Sequence, residues 1–266
     1  MKIQILVCIK QVPSSQRTMM NSEKGTLIRI ATDSMINPYD LHAIEAALRT
    51  VETQEGKVSV MTMGPPSAER VLCEALAMGA EEGFLLSDNS FAGADVYATS
   101  YTLAQGIQKA GRFDLIFCGQ QTTDGDTAQV PFALAAHLGI PVIGWVKKIE
   151  QVREDEIVVL QEVTGGTLRI TAHFPTVLAV GRAAALQPRL SNLSKRLKAL
   201  EKPLTVWSAA DFPTADYNYF GAQGSPTRVQ KIYSPTVTTK VPLIQAKPDE
   251  AAALILTALN IARQER

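Results

Sequence analysis

The sequence has no GxGxxG after its first apolar run and no GxxxxGK[ST] anywhere. Neither the usual dinucleotide fingerprint nor a P-loop therefore carries its chemistry. Cysteine is scarce: Cys8, Cys73 and Cys118 lie far apart in apolar segments. An odd, scattered set excludes a disulfide framework and fits a reducing compartment, so a cytoplasmic location is expected. The three histidines, His42, His137 and His173, stand singly without metal-ligand spacing and read as packing or surface residues; no metal site is expected. Ser14-Ser15 has no base signature nearby, and no nucleophile motif occurs elsewhere, so no catalytic side chain is assigned. Neither sign of charge dominates, with 26 Lys and Arg against 26 Asp and Glu, which removes the electrostatic case for nucleic acid or an anionic membrane. No apolar run is long enough to cross a bilayer. Met1–Val7 reads as a β-branched strand rather than a secretion signal.

What is present is strand–helix alternation. Ile3–Ile9, Lys57–Met63, Gly83–Ser87 and Phe113–Cys118 are apolar strands. Between and after them, Asp40–Thr53, the segment from Gly64-Pro65-Pro66-Ser67 to Gly79, Asp95–Gly111 and Thr127–His137 show helical spacing. Alternation with continuously apolar strands predicts an α/β fold, a doubly wound, mostly parallel sheet covered on both faces. Ligands of such sheets sit beyond the carboxyl ends of the strands where strand order reverses, which selects the loops Ile9–Tyr39, Met63–Ser67 and Gly119–Val130. From Pro141 the texture becomes β-rich. Val142–Val146, Glu156–Glu162, Thr167–His173 and Thr176–Val180 look like an antiparallel extension with a turn at Gly165-Gly166. A basic amphipathic segment, Leu190–Leu200, follows. Residues 208–247 carry Pro213, Pro226, Pro235 and Pro242 with little periodicity, and a helix is expected over Pro248–Arg263. The division expected is 1–207 as a nucleotide-binding domain and 208–266 as an extended arm whose apolar-faced helix packs on a partner chain.

The segment Cys118-Gly-Gln-Gln-Thr-Thr-Asp-Gly-Asp-Thr-Ala-Gln-Val130 leaves a strand, gathers two glycines, two acids, three threonines and three glutamines, and enters a helix. Glycine lets backbone approach a ligand closely. Asp126 or Thr127 is placed to cap the helix, and free N–H groups of a first turn attract an anion such as a pyrophosphate. Asp124 and Asp126 are compatible with a phosphate if their oxygens face backbone N–H groups or ribose hydroxyls. Lys10, after the first strand, is a candidate to neutralise a phosphate. An elaborate but purely structural loop is the competing reading.

Five ordered segments, Val7–Pro13 (VCIKQVP), Ile36–Arg49 (INPYDLHAIEAALR), Met63-Gly64-Pro65, Ala75–Ala80 (ALAMGA) and Gly119–Val130, resemble in order and spacing the beta subunit of electron-transfer flavoproteins. The resemblance runs to about Leu200. It implies the adenine-nucleotide alpha-hydrolase-like fold and a heterodimer with an alpha subunit. Carried over by motif, it puts nucleotide contacts on Cys8; on Asn37, Pro38, Tyr39 and Asp40; on Met63; and on Gly119, Gln120, Gln121, Thr122, Thr123, Asp124, Gly125, Asp126, Thr127, Ala128, Gln129 and Val130. The wording Asp124-Gly-Asp-Thr-Ala-Gln-Val is similar to the electron-bifurcating type, which holds FAD here, whereas ordinary members hold AMP. The resemblance implies NADH as electron donor, and ferredoxin or flavodoxin together with an acyl-CoA, enoyl-CoA or 2-hydroxy-acid dehydrogenase as acceptors. Residues 182–200 resemble the family's dehydrogenase-docking loop, with Leu190 and Leu193 as apolar anchors and Arg189, Lys195 and Arg196 as steering charge. Two departures stand out: Gln120 replaces a common lysine, and Pro131-Phe132 replace Gly-Pro. Alternatives are a subunit with structural AMP and a stand-alone nucleotide sensor.

Overall fold

The computed structural model describes residues 2–14, 19–21, 26–28, 34–182, 187–230 and 244–264. Parts of the Ile9–Tyr39 loop, residues 183–186 of the docking segment and 231–243 of the arm lie outside the described residues. The described chain divides into two units, Met1–Gln230 and Lys231–Arg266.

In the first unit β1 (Ile3–Cys8) is followed by β2 (Gln11–Pro13), β3 (Met19–Asn21), β4 (Thr26–Ile28) and β5 (Ser34–Ile36), then α1 (Pro38–Thr53). Next come β6 (Gly56–Met63), α2 (Glu69–Met78), β7 (Glu82–Leu86), α3 (Val96–Ala110), β8 (Leu115–Gly119) and α4 (Val130–Leu138). The β-rich part gives β9 (Val142–Val152), β10 (Glu156–Val163), β11 (Gly166–His173) and β12 (Thr176–Val180), followed by α5 (Leu193–Ala199) and β13 (Leu204–Trp207). Among the described residues nine strands form one sheet in the order β11-β10-β9-β12-β8-β1-β6-β7-β13. β2 pairs with β5 and β3 with β4 in two antiparallel ribbons.

The chain winds outward from β1 through β6 to β7, then crosses to the other side of β1 for β8 and β12. The reversal therefore lies between β1 and β8, whose registers run side by side from Ile5↔Leu115 to Cys8↔Cys118. Successive β1 side chains serve two cores. Ile3, Ile5 and Val7 pack with α1 and α2, while Leu6 and Cys8 pack with α3 and α4. Burial on both faces is why these strands are continuously apolar rather than alternating.

Two features differ from the expectation. Thr176–Val180 is not in the antiparallel extension; it is an interior strand, parallel to both β8 and β9 and buried at every position. Its five-residue length and flanking turns look like a hairpin arm in sequence, but TVLAV is a doubly covered parallel strand. Only β9–β10 and β10–β11 pair antiparallel within the large sheet, and the β10–β11 turn is centred on Thr164-Gly165, with Gly165 at φ 85°. The second feature is residues 208–230, which fold with the first unit. Ala209, Phe212, Ala215 and Phe220 enter the α3/α4 core, Phe220 meets Phe91 edge-on at 4.9 Å, and Thr227 N–H reaches Asp95 at 2.9 Å. Low periodicity hid this strap because its burial comes from aromatic side chains on 3₁₀ turns.

The second unit contains α6 (Pro248–Gln264). Proline begins it and Asp249 and Glu250 occupy the first turn, where carboxylates favour the helix dipole. Leu254, Ile255, Leu256 and Leu259 are exposed.

Candidate functional site

The carboxyl ends of β1 and β8 and the start of α1 are tied together by two side chains. Asp40 is buried in the first turn of α1. One of its oxygens accepts the Lys10 N–H at 2.7 Å, the other accepts Asn37 Nδ2 at 2.9 Å, and the Gly119 N–H also donates to this carboxylate. Asn37 further donates to the Gln121 carbonyl at 2.8 Å and accepts the Thr123 N–H at 3.3 Å. Two of the loops selected by the strand-order argument, Ile9–Tyr39 and Gly119–Val130, are thus joined to the start of α1 through buried polar atoms, each hydrogen bond satisfying a group that burial would otherwise penalise. Gly119 is required by this arrangement. A Cβ there would lie 2.2 Å from Asp40 Oδ1 and 2.9 Å from the Asp40 nitrogen.

Burial pushes the Asp40 carboxyl up to about 7, against the lowering effect of Asn37 and the Lys10 N–H. Beneath it, Cys8 and Cys118 are neighbours across the β1–β8 register and both are buried. The hydrogen bond with Cys8, and then burial, hold the Cys118 thiol well above the ordinary range. Cys118 is therefore a packed thiol rather than a nucleophile.

The long loop after β8 differs from the expected helix entry. α4 begins at Val130, not near Thr127, and its N-cap is Gln129 without a side-chain cap. Asp126 and Thr127 are therefore not caps. Asp126 and Ala128 take left-handed backbone, φ 50° and 53°, which delays the helix by three residues. The two acids are engaged by side chains of the same loops. Asp124 is held by Lys10 Nζ at 2.7 and 2.8 Å, and Asp126 accepts Gln121 Nε2 at 2.6 Å. Burial acts to raise Asp124, but the Lys10 ammonium and the Thr122 hydroxyl outweigh it and keep the carboxyl below its usual value. Lys10 thus bridges the β1 and β8 loops. At the start of α4, Phe132 and Ala133 both donate to the Gln129 carbonyl and Pro131 has no N–H, so this turn offers fewer donors than a regular helix start. Gly125 takes ordinary φ, and a Cβ there would meet nothing closer than Thr122 Oγ1 at 3.4 Å. Met63 ends β6 and packs into the core that holds Cys8.

Apart from Tyr39 and Gln120, sequence reasoning missed the wall beside these loops. Tyr39, Gln120, Trp145, Val146, Lys147, Glu162, Gly181 and Arg182 line a cleft of about 260 Å³. The Arg182 guanidinium lies 4.9 Å from the centre of the Tyr39 ring, a cation–π arrangement. Trp145 sits in a bulge of β9 with φ 47°, a strained conformation for a non-glycine residue, and packs on Phe132 at 5.7 Å. Gly144-Trp145 inside an apolar strand was the available signal, since glycine in a strand interior marks a bulge.

The segment expected to dock a dehydrogenase presents its leucines to solvent: Leu190 is 93% and Leu193 74% exposed, with Leu197 and Leu200 also outward. Lys195 and Arg196 lie on exposed turns of α5. Arg189 does not join them, because its guanidinium is bonded to Glu45 and Glu52 of α1. Among the described residues no His, Cys, Asp or Glu group could hold a metal, and no helix is long and apolar enough to cross a membrane. His137 packs between Tyr97 and Tyr101, at 4.9 and 5.7 Å, and His173 is an exposed partner of Asp155 at 3.6 Å.

The family model of the electron transfer flavoprotein domain matches residues 24–212. The chain is 40% identical to the electron transfer flavoprotein subunit beta of Clostridium acetobutylicum over 96% of this chain and 97% of that one. It is 40% identical to the caffeyl-CoA reductase-Etf complex subunit CarD of Acetobacterium woodii, with 88% of each chain covered. Protein FixA of Bradyrhizobium diazoefficiens shares 37% identity over 94% of this chain and 89% of its own. On the doubly wound sheet, the knotted loops at its reversal and these full-length likenesses, the chain belongs to the electron transfer flavoprotein family as a beta subunit.

Proposed function

We propose that this beta subunit binds FAD at the β1/β8 reversal and works in flavin-based electron bifurcation. The observation that carries the reading is the Gly119–Val130 loop. It is fastened through Asn37 and Asp40 to the β1 and α1 loops, yet its tip at Gly125 is unobstructed. The family implies a flavin or AMP in such a subunit. The likeness to CarD, a subunit of a caffeyl-CoA reductase-Etf complex, supports the bifurcating assignment.

The donor set fits a dinucleotide. Thr123 and Thr127 offer hydroxyls beside main chain, and the ammonium of Lys10 stands at the mouth of the crevice with its charge balanced by Asp124. Tyr39, Arg182 and Trp145 supply flat and cationic surface in the adjoining cleft for a ring system. A flavin held here by the Gly119–Val130 loop would supply the redox chemistry, with NADH as the electron donor and the alpha-subunit FAD and ferredoxin or flavodoxin as the acceptors. Asp40 and Asn37 act on the protein, fixing loops whose N–H groups meet the cofactor; neither is an acid or base of the reaction. Cys8 and Cys118 floor the crevice and exclude water.

The exposed Leu190 and Leu193, with Lys195 and Arg196 beside them, form the surface for an acyl-CoA, enoyl-CoA or 2-hydroxy-acid dehydrogenase. Helix α6, with its exposed leucines, packs on the alpha subunit, and the complex works in the cytoplasm. The test is the cofactor content of the purified heterodimer. Two flavins per heterodimer are expected; one flavin with AMP released on denaturation overturns the bifurcating reading in favour of a structural nucleotide.

A further inference from the structure

We propose that Arg189 is a positioning residue for partner docking, an internal anchor that fixes residues 187–200 to α1, rather than part of the surface the partner touches. Its consequence for docking rests on the reading above; the anchor itself rests on geometry alone. The Arg189 main-chain N–H donates to Glu45 Oε2 at 3.0 Å, Nε donates to the same oxygen at 2.8 Å, and Nη2 donates to Oε1 at 3.1 Å. Nη1 reaches Glu52, two helical turns further along α1, at 2.6 Å. The Glu45 side chain is 0% exposed and also receives Arg49 Nε at 2.6 Å.

Burying a carboxylate this fully is costly unless charge and hydrogen bonds replace the lost water. Here they do: the forked guanidinium matches both oxygens, which a lysine's point charge cannot. The same match removes Arg189 from steering. Its side chain is 27% exposed, and its charge is cancelled by two carboxylates of its own chain. The cations left to attract an approaching partner are Lys195, Arg196 and Lys198.

The anchor also explains the exposed leucines. Main chain and side chain of one residue grip one carboxylate, so the direction of the chain leaving Arg189 is fixed and the next residue, Leu190, points outward. Two residues on, Asn192 caps α5 by accepting the Lys195 N–H at 2.9 Å, which sets the helix that displays Leu193 and Leu197. Downstream, Lys202 Nζ donates to the Leu76 and Ala80 carbonyls at 2.9 and 2.6 Å, closing the far end onto α2. A segment with so much outward apolar surface gains by turning inward; being pinned at both ends prevents it.

The experiment is amide hydrogen exchange on the heterodimer, read by mass spectrometry, for the native protein, Arg189→Gln, Arg189→Lys and Glu52→Gln. Exchange over residues 187–200 is expected to rise at least tenfold in Arg189→Gln, less in Arg189→Lys, and about twofold in Glu52→Gln, which keeps the buried contacts. Peptides of β1 and β8 stay at native rates. Unchanged exchange over 187–200 in Arg189→Gln overturns the anchor. So does a rise spread equally over β1 and β8, if Glu52→Gln also shows no local rise. Reduction of a purified acyl-CoA dehydrogenase supplies the second readout. Arg189→Gln is expected to raise its KM at least tenfold with kcat within twofold, as the double variant Leu190→Ala/Leu193→Ala does. If the leucine variant raises KM and a loosened Arg189→Gln does not, the positioning role is overturned. If neither variant moves KM, the docking reading fails instead, and exchange alone decides the anchor.

Discussion

Helix α1 carries two buried carboxyls five residues apart, Asp40 and Glu45, and the protein treats them in opposite ways. Asp40 meets only neutral donors, two backbone N–H groups and an amide, and burial wins: its carboxyl rises to about 7. Glu45 meets two guanidinium groups. Burial again acts to raise it, but Arg189 and Arg49 more than offset that, and it stays below the ordinary carboxylate range. What Glu45 has and Asp40 lacks is a full opposite charge arriving with the hydrogen bonds. One end of the helix thereby fixes the β1 and β8 loops through polar geometry, and the middle of the same helix fastens residues 187–200 through charge.

Removing the charge match, crowding Gly119 and titrating Asp40 have expected effects of similar size, all well above that of Gly125→Ala. Glu45→Gln leaves Arg189 and Arg49 facing a neutral group and is expected to lower stability by about 3 kcal/mol, reduced by the partial exposure of both arginines. Chemical denaturation of the heterodimer checks it, and a loss well under 1 kcal/mol would remove the contrast with Asp40. Gly119→Ala breaks the other end, forcing a methyl against Asp40 Oδ1. A destabilisation of about 2 kcal/mol is expected, with loss of the beta-subunit nucleotide on gel filtration.

Third comes pH. The folded state holds the Asp40 proton up to about 7, whereas the unfolded chain releases it near 3.8, the ordinary value for an aspartate. The stability this group adds is therefore complete below about pH 4 and is lost as pH rises through 7. Unfolding measured from pH 4 to 8 should show the native protein losing roughly 2–4 kcal/mol relative to Asp40→Asn across that window. A flat difference would mean that the three donors suffice to hold Asp40 ionised. Smallest is Gly125→Ala, expected to change stability by less than about 0.5 kcal/mol because the Cβ has space. A drop in beta-site flavin at unchanged stability would show that the loop tip is kept small for the ligand.

The loops of the candidate site were legible because strand–helix alternation and the rule of reversal act through local patterns. Gly119, Asn37 and Asp40 were named from sequence, but as ligand contacts. The structure shows Asp40 turned into the protein, since its partners, Lys10 and Gly119, are distant in sequence. Asp126 and Thr127 looked like caps because residue type favours that role; left-handed backbone at Asp126 and Ala128 moved the helix start beyond them. Arg189 looked like surface charge for the same reason, and its partner lies 144 positions away.

By itself the sequence determined the doubly wound sheet, the two-sided core of β1, the absence of metal and nucleophile motifs, and the family resemblance. All of these are read from periodicity and residue type over short windows. Only the tertiary structure decided that Thr176–Val180 lies inside the sheet, that residues 208–230 belong to the first unit, and which of two carboxyls on one helix keeps its proton. Those outcomes depend on which distant groups share a buried volume. No local pattern encodes that, because burial and pairing are properties of the assembled core.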